Sequence, residues 1–536
     1  MSANTSVEES NAGAPPDLDV QETAKPWVPS FNPWLIAAAV MLATFMEVLD
    51  TSVANVALPH ISGNLSASTE EATWVLTSYL IANAIILPAT GWLTTVFGRK
   101  KFLITCIIIF TVASALCGAA TNLDMLILAR ILQGAGGGAL QPIAQSVLLE
   151  SFPPIKRGAA MAVYGLGVVV APIIGPTLGG WITDNYSWRW IFYINLPIGI
   201  VAALMASKFV EDPPYLKNQK PGRIDYIGFG LMALGLAALE LTLDTGQQND
   251  WFESSLVTGY AIVSGIALTF FILWELYTPE PIVNLRIFLN RNFAVGCALI
   301  ACVGVVLYGS TALLPLYLQT LLGYSALESG LAVSPRGVGS VVSMLIVGRL
   351  IGKVDGRYLI AFGFFVLAAS TNVFTNLTLE IAQSNIMIPM VFSGFAMGFV
   401  FVPLTTIAMG TLSNEQISNA SGIYNLMRNM GGSIGIAAMT AFLTRGGQIH
   451  QNYLSGALNQ YSPQFQELVQ KIQNGLGAGA TVEQAYGVVY GMLVKQSMLL
   501  SYIDNFRLLA FLCLICAPAA FLFKRVTATK PPPGAH

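Results

Sequence analysis

The sequence predicts an all-α polytopic membrane protein. Three observations carry that prediction. The chain is 54% hydrophobic and only 10% charged, with a mean hydropathy of +0.64, whereas a soluble domain usually carries about 25% charged residues. Its apolar residues fall in long runs, each near the roughly 20 residues a helix needs to cross the hydrocarbon. The alternating segments of about ten residues expected of a membrane β-barrel are missing.

Fourteen apolar segments can be placed, with cores at 34–58, 72–93, 102–120, 125–149, 159–182, 190–208, 225–244, 255–277, 293–320, 328–350, 358–376, 386–411, 417–443 and 500–523. Basic residues gather in alternate connections: Arg99, Lys100 and Lys101; Lys156 and Arg157; Lys217, Lys220 and Arg223; Arg286 and Arg291; Lys353 and Arg357; and Lys524, Arg525 and Lys530 in the C-terminal tail. The positive-inside rule then puts both termini in the cytoplasm, which needs an even number of spans. The polar tail 1–33 lacks a basic stretch followed by a short apolar core, so no cleaved signal peptide is expected; the tail is expected to be disordered. The stretch 445–499 is the one long outer connection and is rich in Gln, Asn and Gly. It reads either as a solvated spacer or as a docking surface for a periplasmic partner.

The first segment holds two acids, Glu47 and Asp50. Each costs roughly 2.5–3.5 kcal/mol inside a membrane span on insertion scales. Their i, i+3 spacing puts them on nearly one helix face, where both can avoid lipid. That pattern points to a proton or cation site. In segment four, Arg130 lies roughly 8 Å below the same surface from which Asp50 lies about 12 Å deep, so the two charges can pair. Glu47 lies about 4.5 Å deeper than Asp50, and two such acids would titrate together.

Further charges inside spans are Arg336, Arg428, Glu240 and Arg507. Arg336 and Arg428 are candidate substrate-binding residues by their cost. Glu240, Asp504 and Arg507 are expected near a surface, paired or snorkelling. Tyr79, Gln133, Gln141, Tyr308, Gln319, Phe399 and Asn425 are candidate walls of a pocket for amphipathic compounds. The six cysteines, including the pair Cys513 and Cys516, sit in apolar runs and read as packing residues. The histidines His60, His450 and His536 are scattered, without metal spacing. No cofactor beyond the proton is implied, no phosphate-binding loop of the G-x-x-x-x-G-K-[ST] type occurs, and no nucleic-acid partner is implied.

An internal repeat links the two ends of the chain. Gly91-Trp92-Leu93 followed by Gly98-Arg99 returns as Gly348-Arg349-Leu350 followed by Gly356-Arg357. Both copies end the second segment of a half, so two related six-helix units with segments seven and eight inserted between them are expected.

These motifs resemble the major facilitator superfamily, and within it the fourteen-span drug:proton antiporters. The run from Leu49 to Pro59 is similar to that subfamily's signature, which often has Gln in place of Glu47. Gly91 to Lys101, with Gly91, Gly98 and Arg99, resembles the superfamily's cytoplasmic gate motif, in which many members carry Asp in place of Thr95 and pair it across the halves. Arg130-Ile131-Leu132-Gln133-Gly134 looks like the motif that holds a buried arginine. Gly165, Pro172, Gly175, Pro176 and Gly179 in segment five resemble the antiporter motif. Trp188 to Pro197 also matches, with Trp188 and Trp190 expected as interfacial anchors.

The resemblance implies a major facilitator fold of two six-helix bundles plus two extra central helices. The chain would divide into a tail at 1–33, a bundle at 34–208, the inserted pair with flanking loops at 209–291, a bundle at 292–523 containing loop 445–499, and a tail at 524–536. It implies a proton-coupled antiporter exporting amphipathic or aromatic drugs by alternating access, with proton coupling at Asp50, Glu47 and Arg130. It further implies a bacterial inner membrane location, with a periplasmic membrane-fusion adaptor and an outer-membrane channel as partners. A proton-linked importer of a small metabolite is the alternative within transport; the glycine and proline run of segment five argues against it. A non-transporting membrane sensor and a membrane enzyme are alternatives of other classes. An enzyme would need a clustered nucleophile, base or metal set, which the sequence lacks.

Overall fold

A computed structural model describes residues 29–153, 156–214, 225–459, 461–477 and 480–525. The tail up to residue 28, Lys217, Lys220, Arg223, Lys530 and His536 lie outside the described residues. Among the described residues the chain is helical and forms no sheet. Thirteen helical stretches are long and apolar enough to cross a membrane. A further helix, Asn414–Ala457, has 44 residues and ample length, but its second half is polar.

The first bundle contains α1 (Pro33–Leu65), α2 (Thr69–Phe97), α3 (Arg99–Gly118), α4 (Leu123–Gly137), α5 (Leu140–Ser151), α6 (Arg157–Asn185), α7 (Trp190–Tyr193) and α8 (Asn195–Phe209). α4 and α5 make one broken span, and so do α7 and α8. α1 runs seven residues past the expected end at Leu58, because Pro59 lies inside the helix rather than ending it. Asp50 is therefore near the middle of α1.

The inserted pair is α9 (Tyr226–Thr245) and α10 (Ser255–Tyr277). α9 packs on α10, on α2 and on the long helix Asn414–Ala457. It therefore touches both halves of the molecule. The Thr77 hydroxyl of α2 donates to Asp244, and Ser433 Oγ donates to Glu240 Oε1 at 3.1 Å. Glu240 is thus buried against the second half and not snorkelling as expected. Asp504 does pair near the surface, with Arg507 at 3.2 Å and His450 at 2.7 Å.

The second bundle contains α11 (Arg291–Thr320), α12 (Ala326–Val333), α13 (Pro335–Leu350), α14 (Gly356–Val373), α15 (Ser384–Met409), α16 (Asn414–Ala457), α17 (Pro463–Leu476) and α18 (Val482–Ala519). Stretch 445–499, expected as a loop, is mostly helical. α16 continues into it, α18 begins within it, and α17 lies between them. At 1.5 Å per residue, α16 is about 66 Å long and α18 about 57 Å, against a hydrocarbon core of about 30 Å. The surplus forms a helical protrusion. Val469, Ala485 and Val489 make its small core, and Phe465 stacks on Tyr486 at 5.9 Å.

The two halves repeat one another. α2 packs on α16, and α13 packs on α6, so the second span of each half lies against the fifth span of the other. Both second spans start with the same capping box: Ser68 with Glu71, and Ser325 with Glu328. In each box the serine hydroxyl accepts from the third residue's N–H, and the glutamate accepts from the serine N–H. The interval from cap to glycine is also the same, since 91 − 68 and 348 − 325 both equal 23. The cap preceding α14 is acidic, with the Asp355 side chain accepting from Arg357 N. The Arg357 guanidinium beside Asp355 holds its carboxyl below the usual range.

Gly91 is needed where the halves meet: a Cβ there would lie 2.6 Å from Asn419 Cα on α16. Gly91→Leu should force α2 from α16 and lower stability by about 1–3 kcal/mol, as overpacking does. Thermal unfolding of the purified protein in detergent checks this, with Gly63→Leu, where a Cβ meets nothing within 4 Å, as the neutral comparison.

Candidate proton and substrate site

Asp50 and Arg130 meet. Arg130 Nη1 donates to Asp50 Oδ2 at 2.6 Å, and both side chains are buried. Both Asp50 oxygens and the Nε and Nη1 of Arg130 are engaged, while Arg130 Nη2 is buried without a hydrogen-bond partner. Gln133 Nε2 donates to Asp50 Oδ1 at 2.9 Å, and Asn195 Nδ2 donates to the same oxygen at 2.7 Å. Arg130 Nε donates to the Val75 carbonyl at 2.9 Å, and its Nη1 also donates to Gln133 Oε1 at 2.8 Å. The guanidinium lies over the Tyr79 ring, 4.2 Å from its centroid, an attractive placement for a desolvated cation. A buried pair survives only when its remaining lone pairs and protons find partners. Here α2, α4 and α8 supply most of them, through Val75, Gln133 and Asn195.

Glu47 occupies a neighbouring cell that opens toward the second half. Its Oε1 accepts from Tyr79 Oη at 3.1 Å and from Asn83 Nδ2 at 3.2 Å. Its Oε2 accepts from Gln141 Nε2 at 2.6 Å. Gln141 Oε1 in turn accepts from Arg428 Nη2 across the interface between the halves. One turn along, Asn425 Nδ2 donates to Gln145 Oε1 at 2.8 Å, and Tyr164 Oη donates to Asn425 Oδ1 at 3.3 Å. Tyr79 belongs to both cells, with its hydroxyl on Glu47 and its ring under Arg130.

The glycine run of α4 makes room for this chamber. A Cβ on Gly137 would lie 2.8 Å from Tyr79 Oη and 3.3 Å from Glu47 Cγ. The antiporter-like motif of α6 also reaches the acids. Pro176 has no N–H to give to the Pro172 carbonyl one turn back. Ser52 Oγ of α1 donates to that carbonyl instead, at 3.0 Å. Gly175 packs on Ser52, and a Cβ on Gly179 would lie 2.8 Å from Val53 Cγ1. α6 is thereby fixed to α1 two residues from Asp50. At its other end Gly165 faces Met344 and Phe401 of the second half.

The gate-like motif closes one end of the seam. Thr94 Oγ1 lies 3.0 Å from Ser418 Oγ, and Gly158 packs on Ile351. Gly98, at φ +79°, makes the turn into α3. Arg99 forms a two-pronged pair with Glu150 of its own half, both bonds 2.9 Å. Thr95 donates to the Trp92 carbonyl. Hydroxyl and glycine contacts hold the halves here.

Of the candidate wall residues, Tyr79, Gln133, Gln141, Asn425 and Arg428 converge on the two acids. Tyr308 is half-buried on α11 beside Gly432, one turn from Arg428. Three do not converge. Phe399 packs between Phe362 and Phe395 inside the second half, at 5.1 and 4.9 Å. Gln319 is exposed at the end of α11. Arg336 is buried within the second half, donating to Thr311 Oγ1 at 2.9 Å and Ser310 Oγ at 3.4 Å. Trp188 is buried, with Arg189 stacked on it at 4.4 Å, while Trp190 is exposed; only Trp190 sits as an anchor would. Asn83, Ser114, Gln145, Tyr164 and Asn195 were not expected at the site. Asn195 had a signal, a lone amide in the run Trp188 to Pro197.

The sequence profile of the Major Facilitator Superfamily matches residues 40–436. The chain is 38% identical over 503 residues to the multidrug export protein EmrB of Escherichia coli (strain K12), covering 94% of this chain and 96% of that protein. It is 37% identical over 491 residues to the fatty acid resistance protein FarB of Neisseria gonorrhoeae, covering 91% and 96%. It is 29% identical over 504 residues to the colistin resistance protein EmrB of Acinetobacter baumannii, covering 91% and 96%. Among solved structures, the human organic anion transporter MFSD10 shares the fold, with a TM-score of 0.56 at 12% identity over 90% of this chain and 100% of that one. The chain belongs to the Major Facilitator Superfamily and is a multi-pass membrane protein.

Removing one member of the Asp50–Arg130 pair should be costly, because it strands a buried charge. Arg130→Met is expected to destabilise by about 3–5 kcal/mol, and adding Asp50→Asn should recover most of that loss. A double-mutant cycle on thermal unfolding checks the pairing.

Proposed function

We propose that this chain is a proton-coupled exporter of amphipathic or aromatic compounds in a bacterial inner membrane, with both termini cytoplasmic. The observation that carries this reading is the buried Asp50–Arg130 pair, set in the middle of an apolar bundle. The family membership and the relatives named for multidrug export, fatty acid resistance and colistin resistance support it.

The mechanism follows from the cost of that pair. Asp50 in its present cell is an anion held by a cation and two amides. A proton reaching it from the outer side would cancel the attraction to Arg130 and free the guanidinium's contacts to Val75 and Gln133. Because Ser52 and Val53 hold α6, loosening at Asp50 is passed to the helix that faces the second half. The halves then exchange which end of the seam is open, and the compound leaves as the proton enters. Asn425, Tyr164 and Tyr308, at the seam, are the walls such a compound would meet. Proteoliposomes containing only this protein should move protons when drug is added. Asp50→Asn strands Arg130 and should lower the unfolding temperature, and in protein verified as folded and drug-binding it should abolish that movement. Proton movement unchanged in Asp50→Asn removes Asp50 from the role.

We further propose that the helical protrusion 445–499 receives a periplasmic adaptor, which joins the transporter to an outer-membrane channel. Tyr453 and Tyr490 are exposed on its long helices. Tyr453→Lys with Tyr490→Lys should abolish co-purification of the adaptor and leave drug-dependent proton movement in proteoliposomes intact. Retained co-purification would place the docking surface elsewhere.

A further inference from the structure

The chain of bonds from Glu47 is the one polar path described above that runs from an acid of the first half to a cation of the second. Its direction is fixed by chemistry. Arg428 can only donate, ionised Glu47 can only accept, and the Gln141 amide has one accepting and one donating end. The observed order, Arg428 to Gln141 Oε1 and Gln141 Nε2 to Glu47 Oε2, is the one that satisfies all three. Turning the amide over would set its NH2 against the guanidinium.

The charges around Glu47 are few. On α1 itself, Asp50 is engaged by Arg130 of α4. α2 presents Tyr79 and Asn83, and α5 presents Gln141. α16 presents Arg428, with Tyr164 of α6 and Tyr308 of α11 close to it. Cys117 of α3 donates to Gln133 in the Asp50 cell. Arg428 also donates from Nε and Nη2 to Asn429 Oδ1 at 3.4 and 3.1 Å, but it forms no ion pair with a carboxylate among the described residues, and its Nη1 has no hydrogen-bond partner. Glu47 is therefore the anion that balances Arg428, and it does so through Gln141.

We infer that Gln141 is a positioning residue that ties the ionisation of Glu47 to closure of the two halves. This rests on the export reading above and adds a second acid with a separate task. With Glu47 ionised, the chain is charge-assisted at both ends and clasps α5 to α16. When Glu47 takes a proton, its oxygen becomes a weaker acceptor and Arg428 becomes a buried cation without a counter-charge. That state favours separation of the seam, where water can reach the guanidinium. Proton transfer to Glu47 thus unlatches the halves, while Asp50 carries the coupling proton.

The test is a pulsed-EPR distance between spin labels at Phe97 and Glu415, both exposed near the closed end of the seam, in full-length protein in proteoliposomes from acidic to alkaline pH. In the wild type the ratio of separated to closed populations should rise on acidification by about 5–150-fold, the usual range for coupled sites. Glu47→Gln and Gln141→Leu should each flatten that dependence. Glu47→Gln with Gln141→Glu moves the anion one place along the chain and should restore it, which a packing role for Gln141 would not do. A wild-type pH response retained in Glu47→Gln or in Gln141→Leu overturns the inference, and so does a folded double variant without a response. Wild-type proteoliposomes that move no protons on drug addition would sink the export reading instead, and the EPR distances would still decide the role of the seam.

Discussion

Charge in a dry interior has to be answered by charge or by a complete set of hydrogen bonds, and most of this architecture can be traced to that demand. Asp50, Arg130, Glu47 and Arg428 lie out of reach of water in the middle of the bundle. Holding them requires Gln133 from α4, Asn195 from α8, Tyr79 and Asn83 from α2 and Gln141 from α5. Each of those helices is thereby fixed in rotation about its own axis. Networks of this kind are strong when complete and costly when broken. Such a network favours one well-defined arrangement over partly formed ones.

Small residues and prolines do the complementary work. The α4 glycines let Tyr79 and Glu47 approach, and the Pro176 gap in α6 is filled by Ser52 from α1. The same helix that leans on Asp50's neighbours presents Gly165 to the other half. The Asp50 neighbourhood and the packing at the seam are therefore two ends of one helix, α6. The repeat places α2 on α16 and α13 on α6, so both crossings of the seam are built alike. Only the first half carries the acids, and the symmetry of the scaffold is not matched by symmetry of charge.

Much of this was legible in the sequence because membrane helices leave few ways to hide a charge. Glu47 and Asp50 on one face, and Arg130 at a compatible depth, follow from helical spacing and cost alone. The division into repeated halves was legible from Gly91 and Gly348, and the matching Ser68 and Ser325 caps would have strengthened it. What was not legible depended on rotation and on long-range partners. Phe399 and Arg336 have the composition of a binding wall but turn into the second half's own packing. Asn195 and Gln145 look like ordinary amides until the helices opposite them are known. Stretch 445–499 has the composition of a loop because its helices are largely polar and exposed, and packing on the small amphipathic α17 replaces the apolar run that marks a span.

The length of α16 carries one more consequence. Arg428 and the protrusion lie on the same unbroken helix, with about 29 residues, or some 44 Å, between Arg428 and Ala457. A tilt of only 10° at the level of Arg428 would sweep the far end through roughly 8 Å on that arm. On an arm of this length, a small tilt at a buried charge would become a large displacement at the protrusion. Anything seated on the protrusion would be displaced by such a tilt, without any signal having to pass through a pore or a ligand.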